Sequence, residues 1–170
     1  TYAKSNREKN VFFVNEGNAL INKAEVLGLD LNSNARSASY LDYDNDGDLD
    51  IIINNYHDQA TMLENNAPKT NNWIKIKLIG DQNANINRDA IGSTMILNSE
   101  NLKNIWREIH STTGYLSVHP KIQHFGLGND TKTKVTIKWS NGEEYTLNIK
   151  EVNASYEISY PNQLKKVVKS

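Results

Sequence analysis

The sequence predicts an all-β chain, and three observations carry that prediction. Residues 73–79 alternate, with Trp73, Lys75 and Lys77 on one face and Ile74, Ile76 and Leu78 on the other, the period of a half-buried strand. Further along, about seven short strand-like runs are separated by turns at the spacing of a β-sandwich. Nearer the start, an aspartate-rich loop is entered through residues 38–41 and left through Ile51, Ile52 and Ile53, whose branched side chains favour a strand.

Residues 1–10 are polar and charged and predict an ordered edge at best. The apolar run 11–14 reads as a strand ending at Asn15, Glu16 and Gly17. Between 18 and 29 the apolar positions fit a short helix or an irregular strand, and period alone does not separate them. Residues 32–36 are a loop by composition. One strand enters the aspartate loop, a second leaves it, a turn follows at His57, Asp58 and Gln59, and a third strand lies near 61–64. The Asn-rich stretch 65–72, which contains Pro68, reads as a linker. Beyond 73–79, strands are expected at 93–97, 105–112, 123–126, 134–139, 144–149 and 155–159, with a loop or a single turn over 98–104. Asn141-Gly142 is a hairpin signal, because that dipeptide readily adopts a type I′ turn.

The chemistry of the first half is concentrated in Asp42-Tyr43-Asp44-Asn45-Asp46-Gly47-Asp48-Leu49-Asp50. Five aspartates on alternate positions repel one another unless a cation neutralises them. Oxygen-only donors at this density suit a hard ion such as Ca²⁺. Asp42, Asp44, Asp46 and Asp50 are expected to ligate through their side chains and Asp48 through its backbone carbonyl, with Gly47 making the tight turn. An EF-hand would place a bidentate Glu at its twelfth position, and that position here is Ile53. The loop therefore closes at its ninth residue, Asp50, as a strand–loop–strand turn. A metal-free acidic turn is the alternative. A catalytic metal is disfavoured, because five carboxylates tend to saturate the ion.

This Asp-x-Asp-Asn-Asp-Gly-Asp-x-Asp loop, followed by Ile-Ile-Ile-Asn-Asn, resembles an FG-GAP repeat of the VCBS type, and 11–17 and 62–66 resemble the strands between such loops. Residues 73–80, 87–92, 124–128 and 137–142 resemble pieces of the ASPIC/UnbV domain. The resemblance implies partial blades of an integrin-like β-propeller over 1–66, a linker at 67–72, a β-sandwich-like ASPIC/UnbV domain over 73–160 and a tail at 161–170. A lone blade leaves open edges, so edge-strand-mediated self-association is expected unless the second domain or another copy covers them. The start at Thr1, within repeat-like sequence, predicts a C-terminal fragment of a longer protein. The resemblance also implies a noncatalytic, calcium-binding extracellular or cell-surface module for adhesion or for glycan or protein recognition. The alternative is an accessory domain of a secreted polysaccharide-degrading enzyme whose catalytic part lies upstream.

Composition limits other classes. A net charge of −1 gives no footprint for nucleic acid or an anionic membrane. No apolar run approaches the ~18 residues of a membrane span. Without cysteine there is no disulfide framework and no thiolate zinc site. His110, His119 and His124 fall in a short window, but turn and strand positions account for them better than zinc does. No Gly-x-Ser-x-Gly elbow is present, and Glu143 and Glu144 project to opposite faces of one strand. Catalysis has no positive signal. For ligand binding the candidates are Arg88, Asp89, Trp106 and Tyr115. Arg88-Asp89 matches the ASPIC pattern and reads as an exposed recognition pair or, slightly favoured, an internal salt bridge ordering loop 81–89. The tryptophans are expected in the core more than on a binding platform.

Overall fold

The structure is a computed structural model that describes residues 7–167; the parts of the expected N-terminal edge and C-terminal tail at 1–6 and 168–170 lie outside the described residues. The architecture is all-β, with a single 3₁₀ turn among the described residues, at Gln82–Ala84. The first seven strands are β1 (Glu8–Lys9), β2 (Phe13–Asn15), β3 (Leu20–Asn22), β4 (Asn32–Ser33), β5 (Ala35–Leu41), β6 (Asp50–Asn55) and β7 (Thr61–Leu63). They form three small antiparallel sheets: β1 with β4, β2 with β3, and β5-β6-β7. Ile53 is buried in the last of these, whereas Phe13, Leu20 and Ile21 of the β2–β3 hairpin are exposed.

The remaining strands are β8 (Asn72–Ile79), β9 (Thr94–Asn98), β10 (Ile105–Glu108), β11 (Gln123–Gly128), β12 (Thr133–Lys138), β13 (Glu144–Ile149), β14 (Ala154–Ser159) and β15 (Gln163–Val167). They make two four-stranded sheets, β10-β9-β12-β13 and β11-β8-β14-β15. The strands pair antiparallel except for β8 and β14, which run parallel with Ile74 opposite Ala154 and Leu78 opposite Ile158. Alternate residues of each sheet meet in one core. Ile74, Ile76, Leu78, Phe125, Leu127 and Ile158 come from one side, and Met95, Leu97, Val135, Ile137 and Ile149 from the other. Each fully buried aliphatic side chain contributes about 1.5–3 kcal/mol. The sandwich is therefore the stable body of the molecule, and it presents the polar face of β8 outward.

Several expectations change. Residues 32–36 are not a loop, because Asn32 and Ser33 pair with Lys9 and Glu8, and β5 already begins at Ala35. A distant partner supplies the hydrogen bonds that composition does not advertise. Between 18 and 29 both alternatives have a share: β3 is followed by a helical turn in which the Leu27 N–H donates to the Lys23 carbonyl at 3.0 Å. The strand expected at 105–112 ends at Glu108. The hairpin at Asn141-Gly142 is not type I′, since only Gly142 (φ 93°) has positive φ. The Gly142 N–H donates to the Trp139 carbonyl and the Trp139 N–H to the Glu143 carbonyl, a three-residue loop closed by a glycine bulge. The tail expected from 161 contains β15, paired with β14 along its whole length.

Candidate metal centre

The aspartate loop joins β5 to β6, so the Leu41↔Asp50 pair fixes the separation of its two ends. Inside it, side chains fold the backbone into a ring. The Asp46 N–H donates to Asp44 Oδ1, the Asp48 N–H to Asp46 Oδ1, and the Gly47 N–H to Asp42 Oδ2. Asp42, Asp44 and Asp46 each place a carboxylate oxygen within 4.8 Å of the others, the one such grouping of potential metal ligands among the described residues. Asp42 Oδ1 and both carboxylate oxygens of Asp48 are buried without a hydrogen-bond partner. An unpaired buried acceptor is costly, and three in one loop leave an electrostatic deficit. Burial, followed by the charges of Asp50, Asp44, Asp42 and Glu64, pushes the Asp48 carboxyl above its ordinary value.

Asp50 has a different part. It is fully buried, and its two oxygens accept the Tyr43 N–H at 2.8 Å and the Asn65 N–H at 2.9 Å. It thus ties the start of the loop to the segment after β7. Each oxygen keeps a second lone pair.

The sandwich closes the other side of the loop. Lys75 of β8 donates to Asp42 Oδ2 at 2.6 Å and to Asn45 Oδ1 at 3.3 Å. His124 of β11 lies with Nε2 2.7 Å from the Gly47 carbonyl. Burial holds its imidazole below the ordinary value, and the neutral ring donates Nε2–H to that carbonyl. Gly47 (φ 101°) packs so closely on the Trp73 indole that a Cβ would lie 2.0 Å from its ring atoms. Lys69, between β7 and β8, pairs with Asp46. A second contact lies nearby: His119 stacks on Tyr40 with centroids 4.0 Å apart, and Ser39 Oγ donates to the Val118 carbonyl.

Sequence reasoning missed Lys69, Lys75 and His124, and it favoured the core for Trp73. The available signal was the polar face Trp73-Lys75-Lys77 of β8, which had no identified partner. Trp139 does lie in the core, whereas Trp106 is 50% exposed and Tyr115 71%. Arg88 and Asp89 are exposed, and no ion pair joins them among the described residues. Loop 81–89 is ordered instead by Asp81, which caps the 3₁₀ turn, by the buried Ile86 and by the Gly80 N–H bond to the Arg88 carbonyl. No hydrogen bond, ion pair or ring contact brings any two of Arg88, Asp89, Trp106 and Tyr115 together among the described residues. Of the three histidines, His119 and His124 are taken up in the contacts above, and His110 lies 3.7 Å from Glu108.

Residues 83–165 match the family described as ASPIC and UnbV. The chain is also similar to cartilage acidic protein 1 of Homo sapiens, with 29% identity over 125 residues that cover 71% of this chain and 18% of that protein. The Mus musculus protein of that name is 28% identical over 125 residues, 71% of this chain and 19% of its own length. That of Xenopus tropicalis is 26% identical over 127 residues, 72% and 19% respectively. The chain thus spans about a fifth of the length of these relatives. The family match begins after β8, so the aspartate loop lies outside it. No helix among the described residues is long and apolar enough to cross a membrane.

Proposed function

We propose that the chain is a noncatalytic, calcium-binding module of an extracellular protein, with the aspartate loop as its metal site and the sandwich as an accessory recognition domain. The observation that carries this reading is the set of three buried, unpartnered carboxylate oxygens beside the converging Asp42, Asp44 and Asp46. These residues fit a hard divalent cation: every donor is oxygen, and the burial of Asp42 and Asp48 costs least when a positive charge faces them. Asp42, Asp44, Asp46 and Asp48 would hold the ion, and Asp50 would anchor the ring or add a ligand. When bound, the ion supplies the charge that lets the carboxylates remain together. The loop in its strand–loop–strand setting supports a partial FG-GAP/VCBS blade over 1–66, and the likeness to cartilage acidic protein 1 supports an extracellular setting. A glycan or an extracellular protein is the partner class this reading implies.

Titration calorimetry with calcium tests the site. The wild-type chain should bind calcium, and Asp46→Ala should weaken binding severely and melt lower even with calcium present, because the remaining carboxylates stay crowded. A variant that melts like wild type in both calcium and chelator means that the site is wrong or empty. A glycan array probed in calcium and in chelator then locates recognition. Binding only with calcium assigns it to the loop region, binding in both conditions assigns it to the sandwich, and no binding redirects the search to protein partners.

A further inference from the structure

Lys75 occupies an unusual position for a lysine. Its side chain is 7% exposed, and that of Asp42, with which it pairs, is 3% exposed. Its ammonium also lies 5.3 Å from the centre of the Trp73 ring. The neighbouring Ile74 and Ile76 project from the opposite face of β8 into the sandwich core, so the lysine is carried by a strand that cannot easily shift. Asp42 divides its two oxygens. Oδ2 takes Lys75 and the Gly47 N–H, Oδ1 is buried and unpartnered, and one carboxylate oxygen of Asp42 lies within 4.8 Å of one from each of Asp44 and Asp46. One carboxylate therefore carries a fixed ammonium on one oxygen and an unpaired, buried oxygen on the other. Lys69 differs: its side chain is half exposed, and its pair with Asp46 is open to solvent screening.

We propose that Lys75 is a built-in counter-ion through which the sandwich sets the cation affinity of the aspartate loop. The ammonium holds the loop folded when no ion is bound, and its charge weakens the hold on an ion that binds. The two effects are linked: whatever favours the ion-free loop reduces the stability gained on loading. This inference rests on the calcium reading of the loop.

The test is calorimetric titration of the intact chain with calcium, with melting in chelator, for wild type, Lys75→Met and Lys75→Arg. Lys75→Met should melt lower in chelator, bind calcium about tenfold more tightly or better, and regain part of its lost melting temperature in saturating calcium. Lys75→Arg keeps the charge and should stay close to wild type in affinity, which a purely steric role for the lysine would not require. If Lys75→Met does not fold in chelator, Lys75→Gln titrated from a folded, calcium-loaded sample by competition with a chelator reads the same affinity change. Unchanged or weaker calcium binding by the charge-removing variants overturns the inference while leaving the calcium site intact. If wild type binds no calcium, the metal reading falls first and the counter-ion role falls with it.

Discussion

Gly47 is required twice over, by its φ of 101° and by the Trp73 ring against it. A methyl group there must distort the turn and displace an indole anchored in β8. Gly47→Ala should therefore destabilise the chain by about 2–4 kcal/mol, the sum of a disallowed backbone and overpacking. Urea unfolding in chelator checks this, and a wild-type midpoint would mean the loop does not dock on Trp73. At the far end of the sandwich, the Tyr160 hydroxyl donates to Glu143 at 2.6 Å, and this bond, with burial, pushes its pKa to about 12. A raised folded-state pKa stabilises fully below the unfolded value, about 10, and the contribution is lost as pH rises toward about 12. Wild type should lose stability across that window, and Tyr160→Phe should flatten the loss. An ultraviolet tyrosinate titration showing Tyr160 ionising at its ordinary pH would refute the pairing. At this scale the sequence displayed the five aspartates and the turn glycine, because local spacing alone makes them conspicuous. Lys75, Trp73 and His124 were not legible as site residues, since their role comes from a contact between segments far apart in the chain.

The strands were legible where one face is buried. β8, β12 and β13 alternate in sequence because a core selects one face of each. β15 was read as tail for the opposite reason: all five of its residues are exposed, two of them lysines, as befits an edge strand. Its contribution lies in hydrogen bonds to β14 more than in buried area. Ending the chain at Asn162 should bare the outer edge of β14, whose other edge is covered by β8. The truncated protein should melt lower and associate, detectable by size-exclusion chromatography with light scattering. A monomer of unchanged melting temperature would mean that β15 contributes nothing as an edge cover. The Asn-rich stretch after β7 was read from composition as a linker; that Asn65 within it bonds to Asp50 and so belongs to the loop was not legible there.

Over the whole molecule, burial is uneven. Almost all of the large core lies in the sandwich, while the N-terminal half leaves Val11, Phe13, Leu20 and Val26 exposed. An apolar cleft of about 960 Å³ runs along β5, bounded by Phe12, by Tyr40, Ile51 and Leu63 of the β5-β6-β7 sheet and by His119 from the sandwich. The β5-β6-β7 sheet, with little core of its own, leans on the sandwich through the Tyr40–His119 stack and the aspartate loop seated on Trp73, Lys75 and His124. All-β class and a sandwich in the second half were readable from alternation and turn spacing. The seat of the loop was not, because no local pattern says which surface a polar strand face will meet. An ion in the loop would relieve the repulsion among its carboxylates, and tight binding at a thousandfold excess over Kd adds about 4 kcal/mol of stability. The most direct test is differential scanning calorimetry of the intact chain in chelator and in millimolar calcium. A clear upward shift of the melting transition with calcium is the predicted result; superimposable transitions would contradict the metal site and the account built on it.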